Sequence, residues 1–273
     1  MGATNLNPMF TSSQLLVKYL DFLLCASNSK GHGIHSPYVF DFVTKVLQDK
    51  TPYQEYQSWN AWRQSLLNDF TLLPVQEIGA GSRSGKSNIR SVSSLVKTAA
   101  KAPRTAKFIF RIARYCQPQT ILELGTSLGL TAGFFSLACP ASTIYTIEGV
   151  DSIAEKAEEN MADWGCKNVR IEKGNLDTNL CELLVRISKP DLVFMDGNHQ
   201  EEATKRYFLQ LLPHLSDTSM LIVDDIHWST GMEEAWFFIQ SHERVTLTLD
   251  FFQFGIVLLN PTFLGKSHFR IRY

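Results

Sequence analysis

The stretch that decides the fold is 120–138, "TILELGTSLGLTAGFFSLA". Its opening run is β-branched and apolar around one acid, the composition of a strand buried on both faces. Gly125 and Gly129 then flank a turn, and "LTAGFFSLA" supplies a helix. A strand, a glycine turn and a helix in that order let the backbone approach a ligand, with helix N-terminal amides that favour a carboxylate.

The same texture continues downstream. Further β-rich runs are "TIYTIEG" (143–149), "NVRIEKG" (168–174), "DLVFMDG" (191–197) and "MLIVDD" (220–225). Helical segments at 127–138, 151–164, 177–188, 199–215 and 230–242 separate them. Strands spaced by helices of this length predict a parallel sheet with right-handed crossovers. "VTLTLDFF" (245–252) and "GIVLLN" (255–260) are joined only by a tight turn, so they should pair antiparallel. The expected fold is α/β, a Rossmann-like seven-stranded sheet of five parallel units plus a terminal antiparallel hairpin, over 103–273.

Residues 1–102 read as an N-terminal helical extension. "LLVKYLDFLLCA" (15–26) is apolar at helical spacing. Ser36-Pro37 and Thr51-Pro52 each pair a capping residue with a first-turn proline, predicting helices over 37–48 and 52–69. Another helix is expected over 88–100, and Pro103 opens one that carries Phe108, Ile109, Ile112, Ala113 and Cys116 on one face.

The balance of charge, 26 basic against 27 acidic residues, gives no basic surplus for nucleic acid or an anionic membrane. The five cysteines contain no C-x-x-C pair and read as reduced core residues of a cytoplasmic protein. The first residues lack a charged segment followed by an apolar run, so no signal peptide is expected, and no apolar run reaches membrane-spanning length.

A second glycine loop, "GAGSRSGKS" (79–87), competes for attention. From Ala80 it fits a loose phosphate-loop pattern. Such a loop needs a strand before it, and only "PVQEI" with its leading proline is available. As a nucleoside cradle it fails too, because no Asp or Glu follows Glu77 through Ala106 to take a ribose. The loop at 125–129 passes that test, since Glu148 ends the next strand. It lacks the third glycine of G-x-G-x-x-G, which counts against NAD. A cofactor without a pyrophosphate, such as an adenosyl amino acid, needs no third glycine.

"ELGTSLG", "IEG", "KGN", "FMDGNH" and "VDDIHW", in this order with a terminal hairpin, resemble a class I S-adenosylmethionine-dependent methyltransferase over roughly 104–260. With "GHGIHSPYVFDF", "GAGSRSGKSN" and "HFRIRY", the whole chain resembles a bacterial group of such enzymes with unassigned substrate. There the first glycine loop belongs to the extension. The resemblance implies that Glu123, Gly125, Thr126, Ser127, Gly129 and Thr131 surround the methionine part of S-adenosylmethionine. It implies that Glu148 takes the ribose hydroxyls, that Gly174 and Asn175 border the adenine, and that Asp196 adjoins the cofactor.

Asp196, Asp224 and Asp225 end adjacent strands at the carboxyl edge, where open α/β sheets bind ligands. Converging carboxylates repel unless a cation lies between them, and all-oxygen donors suit Mg2+. The chain also resembles, more distantly, the catechol-type O-methyltransferases, which carry Asp and an Asp-Asn pair at these positions; here the pair is Asp224-Asp225. Those enzymes have a lysine base where this chain has His199, and His227 is a second candidate base. The expected activity is O-methylation of a small-molecule acceptor, metal-assisted, with Asp196 and His199 catalytic. Lys86, Arg83 and Arg90 are candidates to hold an acidic acceptor. No nucleic acid or membrane partner is expected, and a homodimer is compatible with the sequence. The rival readings are a phosphate-loop NTPase using 80–87 and a non-catalytic methyltransferase-like binding protein.

Overall fold

Each apolar run from Thr120 onward becomes a strand, and each parallel strand returns through a helix. The computed structural model describes residues 9–27, 36–75, 88–263 and 265–273. The N-terminal part contains α1 (Ser12–Cys25), α2 (Pro37–Phe42, continued by the π-helical turn Val43–Leu47), α3 (Glu55–Leu67), β1 (Leu72–Pro74), β2 (Ile89–Ser91) and α4 (Val92–Ala99). Then follow α5 (Pro103–Cys116), β3 (Thr120–Leu124), α6 (Leu130–Ala138), β4 (Thr143–Glu148), α7 (Asp151–Asp163) and β5 (Val169–Lys173). The parallel part ends with α8 (Leu176–Arg186), β6 (Leu192–Met195), α9 (Glu201–Leu211), β7 (Met220–Asp224) and α10 (Thr230–Ser241). The chain closes with β8 (Leu247–Asp250), β9 (Phe254–Leu258) and β10 (Ser267–Arg270).

The strand order is β10-β8-β9-β7-β6-β3-β4-β5. From β5 to β7 all pairs are parallel, and β9 runs antiparallel to both β7 and β8. The Rossmann-like α/β expectation holds, with one correction. The sheet has eight strands, because "SHFR" pairs in parallel with β8 at the edge. Successive side chains on a strand point to opposite faces, and the core divides accordingly. Ile121, Leu192 and Phe194 join one cluster with Phe108, Phe134, Phe42 and Trp59. Leu122, Val193 and Met195 join another with Leu180, Phe208 and Trp236.

The N-terminal helices pack where they steady the first glycine turn of the sheet. The Trp59 ring stacks on Phe134 at 5.2 Å, and its indole N–H donates to the Leu130 carbonyl at 3.0 Å. Trp62 stacks on Trp164 at 4.6 Å. Together they hold the start of α6 from one side, while Asn160 of α7 donates to the Leu128 carbonyl from the other.

Two helix starts also differ from expectation: the helix expected over 88–100 begins only at Val92, after the strand β2 and a Ser91 cap. Ser36 caps α2 as its pattern predicts, but the second helix begins at Glu55 rather than Pro52. The Asp49 carboxylate accepts from the Thr51 N–H and from the Tyr53 hydroxyl, so a side-chain turn carries the chain past Pro52. The loop 79–87 lies outside the described residues. Its flanks, β1 and β2, pair antiparallel with each other and lie outside the large sheet.

Candidate active site

The carboxyl ends of β3, β4, β6 and β7 open into a cleft of about 1100 Å³. Ligands bind open α/β sheets at this edge, beside the strand where the order reverses. Here that strand is β3, between β4 and β6. Gly125 has φ +101°, and a Cβ on it would lie 2.4 Å from the Asp196 carbonyl oxygen. Only glycine lets the turns after β3 and β6 come this close, and any side chain would force the cleft floor apart. Left-handed non-glycine residues gather on the same loops: Ser127, Asn198, His199 and Asp225, with φ of 49°, 69°, 39° and 54°. Such backbone persists only where surrounding structure fixes it, and it concentrates at functional sites.

Glu148 lines the cleft at the end of β4. Its two carboxylate oxygens accept from the Ser127 N–H at 2.8 Å and the Val150 N–H at 3.0 Å. Burial pushes its pKa up, against the pull of these backbone donors. Glu123, one strand over, is 1 % exposed. One oxygen accepts from Thr146 at 2.6 Å and the other, Oε1, is buried with no hydrogen-bond partner. Burial pushes Glu123 up to about 8.

Most of the remaining residues singled out in the sequence line the cleft or a recess beside it. Ser127, Asn175 and Asp196 line the cleft with Gly125 and Glu148. Thr126 and Thr131 line a small recess that shares Gly125, Ser127 and Asp196 with it. The Thr126 hydroxyl is within 2.7 Å of Thr146, one step from Glu123. Asn175 caps α8 by accepting from the Asp177 N–H at 2.9 Å. Gly129 has φ +82° and caps α6, where a Cβ would strike Met161. Gly174 does not line the cleft; its N–H donates to the Glu148 carbonyl at 2.8 Å.

Beyond the glycine turn the acids converge. Ligand atoms of Asp196, His199 and Asp224 lie within 4.8 Å of one another. Asp225 is not part of that set. Its carboxylate is 3.8 Å from His199 Nδ1, on the side opposite the 3.5 Å approach of His199 Nε2 to Asp196. The turn holding His199 is pinned from below: Asn198 donates to the Tyr207 hydroxyl, which donates to Asp177 of α8.

Sequence reasoning missed the cation of this cluster. Lys101, in the short link between α4 and α5, places its ammonium between Asp196 and Asp224 and bonds both, Asp196 at 2.9 Å. Burial alone would lower the Lys101 pKa; Asp196, Asp224 and Asp225 more than offset it and raise it above the ordinary lysine value. Burial raises Asp196, against the Lys101 charge and with the help of its acidic neighbours. Magnesium on Asp196, Asp224 and Asp225 therefore fits this arrangement poorly. The ion would meet an ammonium bonded to two of its three ligands, and the third carboxylate stands outside the convergent set.

His227, the second candidate base, is locked. Nδ1 lies 2.9 Å from Glu233 and Nε2 3.0 Å from Asp250. Burial opposes protonation, but the two carboxylates prevail and push its pKa up to about 9. An imidazolium bonded at both nitrogens has no lone pair to take a proton. Its role is to hold the wall of the cleft. Glu233 also binds Lys18 of α1, and the His227 ring stacks on Phe252. α1 is tied at its ends as well, by the Phe10 N–H on the Trp228 carbonyl and the Ser27 N–H on the Arg270 carbonyl. Thus Leu15, Leu16 and Tyr19 line the cleft together with Phe252, on which the Tyr19 ring packs edge-on at 5.0 Å. Arg90 lines the cleft too, with its guanidinium 2.6 Å from Thr98 Oγ1. Arg83 and Lys86 lie outside the described residues.

A family model described as a methyltransferase domain matches residues 122–226, the span from β3 to just past β7. Solved structures share the fold. An O-methyltransferase from Streptomyces achromogenes involved in tomaymycin synthesis, in complex with SAM, is 23% identical, with a TM-score of 0.51 over 60% of this chain and 82% of that one. An SAH-bound methyltransferase from Podospora anserina is 14% identical, with a TM-score of 0.57 over 82% and 97%. An O-methyltransferase from Bacillus cereus in complex with SAH is 16% identical, with a TM-score of 0.52 over 81% and 97%.

Proposed function

We propose that this class I methyltransferase transfers a methyl group from S-adenosylmethionine to a hydroxyl oxygen of a small molecule. The observation that carries the reading is one continuous cleft lined by Glu148, the Gly125 turn and the Asp196–His199–Lys101 cluster. The residues fit the cofactor. Glu148 has a buried carboxylate at a strand end for the ribose hydroxyls. The orphaned Oε1 of Glu123 matches an amino group, and the bare Gly125 leaves the turn open to close approach. Gly149, Val150, Asn175 and Leu176 would border the adenine.

S-adenosylmethionine supplies, when bound, a sulfonium-linked methyl group already activated for displacement. The protein's task is then alignment and proton removal. His199 is the proposed base. Its ring lies between Asp196 and Asp225, at 3.5 and 3.8 Å, with neither approach short enough to consume its lone pair. Asp196 and Asp225 orient the ring and stabilise the imidazolium once the acceptor proton has arrived. Leu15, Leu16, Tyr19 and Phe252 exclude water from the acceptor end and favour an apolar or aromatic acceptor. The N-terminal extension, 1–102, supplies α1 and Lys101 to this end of the cleft and so is proposed to select the acceptor.

Calorimetry tests the reading directly. S-adenosylhomocysteine should bind one per chain, and ATP should not bind. The NTPase alternative gains nothing from β1, which is not a strand of the sheet that a phosphate loop would need. A protein that binds ATP and not S-adenosylhomocysteine ends the methyl-transfer reading. One that binds S-adenosylhomocysteine but labels no hydroxylated acceptor from a methyl-labelled donor favours a non-catalytic binding role. Among the described residues no helix is long and apolar enough to cross a membrane.

A further inference from the structure

We propose that the Lys101 ammonium is the cation of this site, standing where a divalent ion would sit, so that the protein works without one. The inference deepens the methyl-transfer reading, but its charge argument stands apart from it. Three carboxylates at one sheet edge need a positive charge, since mutual repulsion would otherwise force protons onto them. Lys101 meets that need from within the chain. Its side chain is 15 % exposed, and that of Asp224 is 2 % exposed. Its Nζ bonds both Asp196 and Asp224. The atoms of Asp196, His199 and Asp224 could otherwise share one ion. An ion entering there must displace the ammonium from a buried pair of carboxylates, and breaking buried pairs by removing one partner is strongly unfavourable.

The placement also differs in kind from a metal. A divalent ion accepts several oxygens and can chelate neighbouring hydroxyls. An ammonium has three N–H donors. Asp196 and Asp224 take two, and the Phe194 ring centroid lies 6.0 Å from the same nitrogen. One donor can meet one acceptor oxygen, so the site selects for a single hydroxyl rather than a chelating pair.

The test is a titration with Mn2+, read by the paramagnetic resonance of the free ion. The wild-type chain should leave that signal unchanged at ion concentrations up to the millimolar range. Lys101→Ala and Lys101→Gln should each gain one bound Mn2+, held by Asp196, His199 and Asp224. Adding Asp224→Asn to either should abolish it, and Lys101→Arg, which keeps the charge, should stay blind to the ion. One Mn2+ bound to the wild-type protein and lost in Asp224→Asn overturns the proposal, and this arm needs no Lys101 variant to fold. A folded Lys101→Ala protein that ignores Mn2+ overturns it equally. S-adenosylhomocysteine calorimetry on the same wild-type sample separates this failure from failure of the methyl-transfer reading. Loss of cofactor binding with a silent Mn2+ titration removes the reading, whereas Mn2+ binding with intact cofactor affinity removes only the lysine.

Discussion

Glu148→Gln separates the two tasks assigned to this carboxylate. The side chain keeps its shape, but one oxygen becomes an NH2 group. Whichever way the amide turns, that group faces a backbone donor, the Ser127 N–H or the Val150 N–H, both of which now give to carboxylate oxygens at 2.8 and 3.0 Å. A buried donor left without an acceptor costs about 1–3 kcal/mol, so the variant should fold with a lower melting temperature. The cofactor end should suffer a loss of its own, separate from this scaffold cost. Charge-assisted bonds to the ribose are worth about 1.5–3 kcal/mol, or roughly a 10- to 150-fold fall in S-adenosylhomocysteine affinity. Calorimetry measures the affinity and thermal melting the stability. A second ligand, the 2′-deoxy analogue of S-adenosylhomocysteine, distinguishes ribose binding from a slackened glycine turn. If Glu148 holds that hydroxyl, removing it should weaken binding to the wild-type protein and change little in the variant, the non-additivity expected of groups in contact. A folded variant with unchanged affinity, or equal losses for the analogue in both proteins, would refute the assignment.

Two further outcomes follow from titration. His227 is pushed up to about 9 in the folded chain by Asp250 and Glu233, against burial. A histidine raised above its unfolded value of about 6.5 contributes stability fully present below that pH and lost as pH rises through the folded value, here on the order of 3 kcal/mol. Urea unfolding at stepped pH should therefore show stability falling on the alkaline side of neutrality, with the step absent in His227→Phe; an identical step in that variant refutes the assignment. Glu123, pushed up to about 8 by burial, should be largely protonated at neutral pH in the free protein. An ammonium arriving at its orphaned oxygen would favour the ionised form, so S-adenosylhomocysteine binding should release protons. Calorimetry in buffers of different ionisation enthalpy should detect the release in wild type and not in Glu123→Gln; buffer-independent heats would count against it.

Most of the legible sheet was buried on both faces, while the edge strand β5 was read from its place in the alternation of strands and helices. Thr120–Leu124 and Met220–Asp224 are buried along their whole length, so their sequences are mostly apolar with one or two polar residues. β10 escaped because it is a four-residue edge strand that alternates burial, with His268 and Arg270 outward. Its signal was the period-two pattern of "HFRIRY", in which Ile271 is fully buried. β1 and β2 are three residues each and buried on neither face, too short for any periodicity. The Thr51-Pro52 cap misled because a side-chain turn from Asp49 competed for the same backbone. Only a contact two residues away distinguishes it from Ser36-Pro37.

The site divides along the same line. Glu123, Glu148, Asp196 and Asp224 could be read as neighbours because each lies at or just after the carboxyl end of a parallel strand, and parallel register carries strand ends to one edge. Their counter-charge follows no such rule. Lys101 stands 95 residues before Asp196 and 123 before Asp224, in a link between two helices with no motif around it. Motif reasoning sees three acids without a base and supplies a metal. The folded chain shows that the demand for positive charge is met by whatever element packs over the cleft. α4 and α5 pack there for apolar reasons, through Leu95, Val96, Phe108 and Ile112, and the turn between them delivers the ammonium. A substitution in that apolar packing should therefore act on the acid cluster at a distance. Conversely, the charge pair ties the extension to the sheet edge that the cofactor must reach. The same ion pair that sets a positive charge among the acids thus also ties the link between α4 and α5 to the carboxyl edge of the sheet.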